Sequence, residues 1–108
     1  MDIQDEEIHK AIDFLAYKAP GLYGEAKELR IATESLVKSI RSEIFLREEG
    51  KIAEKEAKSY ASQEYKDAVI SFANATREEE VIRLQIAAAN MKIEIWRTQQ
   101  SNRRAMKV

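Results

Sequence analysis

The sequence lacks cysteine and has a single proline, three glycines and a single histidine among its 108 residues. Without cysteine, neither a disulfide framework nor a thiolate metal site can form. So few prolines and glycines, combined with 34% charged residues, are typical of long helices. At this length there is room for one domain with a modest core. We therefore predict a single helical domain that covers residues 1–108.

Long apolar runs are also missing, and the charges are distributed unevenly. Nowhere do 18 apolar residues stand together, and the acidic N-terminus does not resemble a signal peptide. These two absences predict a cytoplasmic protein without membrane contact. The net charge of −1 hides a net of −4 in residues 1–13 and a net of +4 in residues 92–108.

Helical periodicity begins near the N-terminus. Acidic residues in the opening turn and apolar residues at helical spacing predict a short helix over about residues 5–18. Residues 19–24 then contain Pro20, Gly21 and Gly24, and proline disfavours helical geometry in the residue before it. The pattern predicts a loop here.

Two long helices follow. We predict the first over about residues 25–60, continuous through Gly50, because Glu48 and Glu49 are poorly placed for a helix C-terminus. Ser62 can act as an N-cap, so the second is predicted over about residues 63–103, and it leads into a basic C-terminal tail that covers 97–108.

The last helix has a regular apolar seam at coiled-coil spacing. Its positions are Ala68, Phe72, Ala75, Glu79, Ile82, Ile86, Ala89, Ile93 and Trp96. The seam predicts an all-α fold: a long antiparallel, coiled-coil-like helical hairpin with the short N-terminal helix packed at one end. A reversal at residues 61–62 would place Arg47 near Glu79 and Leu29 near Trp96.

A second apolar stripe runs along the same helix, and we name it the outer stripe. It consists of Val81, Leu84, Ala88, Met91 and Ile95. An apolar stripe on a helix needs a cover. Either the first helix supplies it, through Ile8, Ile12 and Leu15, or a second protomer does, which makes the outer stripe a candidate interaction or oligomerisation surface.

Residues that carry chemistry are scarce. His9 lies in an acidic first turn, where we expect it to be solvated, and the consecutive carboxylates of residues 78–80 point about 100° apart on a helix and do not converge on one ion. No phosphate-binding loop or metal-ligand motif is present in the sequence. We expect a protein that is not an enzyme and that uses no cofactor and no metal.

The basic C-terminal segment is the clearest chemical hint. Arg97, Arg103, Arg104 and Lys107 can neutralise phosphates, which makes them candidate nucleic-acid-binding residues. Basic residues also stabilise helix C-termini through the dipole. Trp96 can stack on a base, although its register with the seam favours a position in the core.

Two stretches, Glu56–Tyr65 and Ala88–Arg103, together with the heptads between them, resemble a group of small helical proteins that bacteriophages and prophages encode. The resemblance covers about residues 25–104. Members of this group are often encoded near replication and recombination genes. The resemblance therefore implies an accessory role in phage DNA metabolism, in the cytoplasm of the host cell, without a defined activity.

Our leading hypothesis is a non-enzymatic, phage-encoded interaction module that presents a helical surface to a phage or host protein. The host protein would be the target of an inhibitor, and the phage protein one of DNA recombination or replication. Two alternatives remain open: direct nucleic-acid binding through the basic segment, and self-assembly as a structural or scaffolding component of a virion.

Overall fold

The computed structural model describes residues 2–107, which form four α-helices and one π-helical turn. The π-helical turn, Phe14–Lys18, connects the first two helices. The helices are α1 (Asp5–Asp13), α2 (Ala19–Arg47), α3 (Ile52–Ala61) and α4 (Gln63–Met106). The all-α prediction is confirmed.

Residue contacts divide the chain into two compact units. Unit 1 contains the described residues up to Gly24 and those from Glu80 onwards, and unit 2 is Glu25–Glu79. The division falls inside α2 and α4 and not at a loop, because each of these helices contributes residues to both units. The single domain that we inferred from chain length stays a prediction.

In unit 2, ionic contacts define how α2 and α4 pair. Arg30 Nε donates a hydrogen bond of 2.6 Å to Glu79 Oε2, and Arg47 pairs with Glu64. Positions later on α2 thus meet positions earlier on α4, which confirms the antiparallel hairpin. The predicted pairing of Arg47 with Glu79 is wrong. Glu79 has a cationic partner as expected, but it is Arg30, whose pKa is raised chiefly by this hydrogen bond.

In unit 1, the start of the chain runs antiparallel to the end of α4. The Ile3 backbone N–H donates to Gln99 Oε1 at 3.0 Å, and Trp96 Nε1 donates a longer hydrogen bond of 3.4 Å to Asp5 Oδ1. Ile3 and Ile8 are both buried. The predicted pairing of Leu29 with Trp96 is therefore wrong, since the indole lies beside Asp5.

The predicted seam of α4 is confirmed at every position. Ala68, Ala75, Ile82 and Ala89 are buried, and the seam positions between them, together with Trp96, are half-buried. The buried positions recur every seven residues and three of the four are alanine. Small side chains at these positions allow neighbouring helices to approach closely.

The predicted loop at residues 19–24 is wrong, because α2 begins at Ala19 and continues through Pro20, Gly21 and Gly24. The π-helical turn precedes it, with the Ala19 N–H bonded to the Phe14 carbonyl. Pro20, which has no N–H to donate, follows directly after this turn, and the helix continues past it. The short N-terminal helix is thus the first part of a helical segment that runs from Asp5 to Arg47.

The π-helical turn also shifts, by one residue, the positions along the chain that face inward. A π-helical turn contains one more residue than an α-helical turn. Heptad spacing would follow Leu15 with residue 18, yet the next buried position is Ala19, one residue later. With this one-residue shift, α1 and α2 keep one inward face, whose buried or half-buried members are Ile8, Ala11, Leu15, Ala19, Tyr23, Ala26, Arg30, Thr33, Val37, Ile40 and Ile44.

The predicted continuous helix over residues 25–60 is also wrong, because α2 ends at Arg47 and α3 begins at Ile52. Gly50 has a φ of 118°, in the region that residues with a side chain rarely adopt. The unfavourable interaction of Glu48 and Glu49 with the helix dipole did not keep the helix intact, since the glycine allows the chain to turn directly after them.

The predicted N-cap at Ser62 is confirmed. Its backbone is extended, with φ −67° and ψ 146°, and its Oγ accepts a hydrogen bond of 3.1 Å from the Tyr65 N–H. This satisfies one of the free N–H groups at the start of α4. The helix therefore begins at Gln63 without a glycine or a proline.

We expect Gly50→Ala to lower the free energy of unfolding by about 1–2 kcal/mol, because alanine is strained at positive φ. Gly21→Ala and Gly24→Ala are matched controls, since both glycines are helical and an added Cβ meets nothing within 4 Å. Each control should raise stability by roughly 0.5–1 kcal/mol. Urea unfolding followed by circular dichroism measures all three, and equal signs would contradict the turn at Gly50.

Candidate functional site

The outer stripe is exposed on α4, within unit 1. Val81, Leu84 and Met91 are 42%, 58% and 64% exposed, Ala88 is also exposed, and Ile95 is half-buried. Of the two covers that the sequence left open, the first helix is therefore not the one that buries the stripe. Ile8 is buried, but Ile12 is itself 47% exposed. The structure thus leaves a row of apolar side chains at heptad spacing facing solvent.

Charged residues flank the outer stripe. Glu80 accepts hydrogen bonds of 3.0 and 2.6 Å from Arg83, which lower the pKa of its carboxyl group, and Glu94 pairs with Arg97 at 3.2 Å. At about 100° per residue these ion pairs lie on one side of the stripe and Lys92 lies on the other. Apolar core positions with charged borders are the arrangement of a coiled-coil interface.

A groove between α1 and α4 borders the stripe on the side of Lys92. Half of its lining side chains are small or apolar, and the other half are polar or charged. The lining residues are Glu7, Lys10, Ala11, Phe14, Gln85, Ala88, Ala89 and Lys92. Ala88 belongs both to this groove and to the outer stripe, so the two form one continuous surface of unit 1.

The basic segment is helical and is not an extended tail, because α4 continues to Met106. At about 100° per residue, Arg97, Arg103, Arg104 and Lys107 fall within an arc of about 120° that also contains Trp96. We call these five residues the basic face. All four cations are exposed, and Trp96 is half-buried. A groove on this helix is lined by Trp96, Arg97, Gln100, Ser101 and Arg104.

The acidic start of the chain lies next to the basic face. The contacts of Ile3 with Gln99 and of Asp5 with Trp96 bring the segment with a net charge of −4 beside the segment with a net charge of +4. The acidic and basic segments, which are far apart in the sequence, therefore lie side by side in the structure. This proximity weakens the positive potential of the basic face.

Unit 2 contains a further groove, between α2 and α3, that sequence reasoning missed. Arg41 donates a hydrogen bond to the Tyr60 hydroxyl and lies 5.3 Å from the centroid of that ring, while Lys55 lies 5.1 Å from the centroid of Phe45. Leu46 also lines this groove and is 78% exposed. Aromatic and cationic residues are frequent in the sequence around Gly50. They could not be recognised as one groove from the sequence, because they come together only when the chain turns at Gly50.

Within residues 2–107 no three or more acidic or histidine side chains are grouped so that they could hold a metal ion. His9 is exposed on α1. None of the helices described here is long and apolar enough to cross a membrane. Comparisons with models of protein families, with curated proteins and with solved structures found no match.

Proposed function

We propose that this protein is a non-enzymatic helical interaction module that binds an amphipathic helix of another protein along the outer stripe. The observation that carries the proposal is the exposure of Leu84 and Met91, at 58% and 64%, in a row with heptad spacing. A helix that buries such a row gains affinity from apolar contact along its own heptads. Acidic residues on that helix would face Lys92 and Lys10 at the adjoining groove.

The resemblance to phage-encoded proteins suggests which partners to try. A protein of phage DNA recombination or replication, or a host protein that the phage inhibits, is the class of partner that we propose. Cytoplasmic location and the lack of enzymatic activity belong to the same proposal and stay predictions.

Charge placed in the outer stripe tests the proposal. We expect Leu84→Glu combined with Met91→Glu to weaken partner binding at least about 30-fold, since hot-spot residues contribute about 2 kcal/mol or more each. The matched control is Ile31→Glu combined with Ile70→Glu, at exposed apolar positions of unit 2. Both variants should keep the melting temperature, because all four side chains face solvent.

Affinity capture from cells that contain the partner, followed by titration with the purified partner, gives the measurement. Equal binding by the stripe variant and the control would contradict the proposal. Light scattering on the free protein measures its oligomeric state and so distinguishes self-assembly as a scaffold from binding to a partner. Large oligomers that dissociate in the stripe variant would assign the stripe to a second copy of this chain.

A further inference from the structure

We propose that the basic face of α4 binds single-stranded nucleic acid, an activity separate from helix binding at the outer stripe. The helix places all four cations on the same side as one aromatic ring, within an arc of about 120°, with Trp96 at the start of the row beside Arg97. Cations that follow a strand neutralise its phosphates and release counterions. An aromatic ring at one end of the row provides a surface on which a base can stack.

Trp96 is held in a position that suits stacking. One part of the side chain packs at the seam, and the other part remains accessible, since the residue is half-buried. Its Nε1 donates to Asp5 Oδ1, which orients the ring. A fixed ring loses little conformational freedom on binding. Gln100 and Ser101 line the same groove and can hydrogen-bond to sugar and phosphate oxygens.

Single-stranded ligands fit this face better than a duplex does. Bases of a duplex are already stacked on each other and are not available to a side chain, whereas those of a single strand are free. The cations also lie along one helix only, about 10 residues or ~15 Å in length. That length matches a few nucleotides and not an extended duplex footprint.

The acidic start of the chain acts as a competitor for the same face. Asp2, Asp5 and Glu6 are exposed, and the buried Ile3 anchors them beside Trp96 and Gln99. Repulsion between these carboxylates and phosphates reduces affinity at low salt, where screening is weakest. The basic face therefore binds nucleic acid more weakly than its four cations alone would.

Trp96 is the sole tryptophan, so its fluorescence reports on the site without any substitution. We expect a short oligo-dT to quench it. With four phosphate contacts the affinity should fall up to about 50-fold between about 50 and 200 mM salt, from a slope near −0.7 per contact. Polyphosphate carries the charge without bases and should not quench. Quenching by duplex DNA as strong as that by oligo-dT would overturn the single-strand inference.

Two sets of variants complete the experiment. Changing Arg97, Arg103, Arg104 and Lys107 to alanine should abolish quenching by oligo-dT, whereas alanine at four exposed lysines of unit 2, Lys27, Lys38, Lys51 and Lys66, should not. Circular dichroism verifies that both sets fold. Retention of binding by the first set, or an equal loss in both sets, would refute the proposal without affecting the outer stripe.

A charge-neutral version of the acidic segment tests the competition. Asp2→Asn, Asp5→Asn and Glu6→Gln together should raise affinity for oligo-dT by about threefold at low salt and leave it unchanged at high salt. The amide introduced by Asp5→Asn keeps an acceptor oxygen for the Trp96 N–H, so the ring orientation is preserved. Unchanged affinity at low salt would show that the segment does not compete.

Discussion

Ile44→Asp is expected to unfold unit 2. Ile44 is 1% exposed on the inward face of α2, so the carboxylate would be buried without a compensating partner. A buried, uncompensated charge costs about 3–5 kcal/mol or more, while the whole stability of a small domain is about 5–15 kcal/mol. Thermal melting followed by circular dichroism should show a large loss of both melting temperature and helicity.

Leu46→Asp is the matched control for that change. Leu46 lies two residues further along α2 and is 78% exposed. Its substitution should lower the free energy of unfolding by only about 1 kcal/mol, from the lower helix propensity of aspartate and from its unfavourable position in the last turn of α2. Similar melting temperatures for the two variants would mean that the inward face of α2 is assigned incorrectly.

Ala75→Leu is expected to destabilise the protein by about 1–3 kcal/mol, because a larger side chain overpacks a tight seam. Ala75 is 3% exposed and belongs to the row of buried seam positions that recur every seven residues. Leucine is nearly as good a helix former as alanine. The loss would therefore report on the close approach of the helices and not on helix propensity.

The control is Ala73→Leu, at an exposed position of the same helix turn. It should be close to neutral in urea unfolding, since the leucine projects into solvent. If both leucine variants were equally stable, the alanine row would not be a region of close packing. A loss confined to Ala75→Leu would support the seam.

The α4 seam could be predicted because its pattern is long and self-consistent. From Ala68 to Trp96 each position follows the last at heptad spacing, and all of them are buried or half-buried. The N-cap at Ser62 could also be predicted, because an N-cap is a local interaction between one side chain and the first turn of the helix that follows it. Signals of this kind need no knowledge of the rest of the chain.

Residues 19–24 were misread because local propensity competes with tertiary packing. Pro20 and two glycines favour a loop, but Ala19, Tyr23 and Ala26 continue the inward face once one extra residue is allowed at the π-helical turn. Packing of that face outweighs propensity terms of about 1 kcal/mol per glycine. A strict heptad pattern does not allow the one-residue shift after Leu15, so it could not extend the inward face into residues 19–24.

The predicted pairing of residues between α2 and α4 was wrong for a different reason. Once the reversal is placed at residues 61–62, every pairing of the predicted hairpin shifts with it, and Glu79 is assigned to Arg47 when its partner is Arg30. The turn at Gly50 and the short α3 move the start of the reversal upstream. The outer stripe was chosen by its helix face and the basic residues by their position in the sequence. Neither choice depends on the pairing register, so both sites stay predictions that the wrong register does not affect.

The order in which these contacts can form follows from how far apart their partners are in the chain. Arg47 and Glu64 are separated by 17 residues and Arg30 and Glu79 by 49, whereas Asp5 and Trp96 are separated by 91 and Ile3 and Gln99 by 96. Loop-closure entropy favours the short separations first. Unit 2 can therefore nucleate the hairpin, and we expect the contacts of Ile3 and Asp5 with α4 to form last.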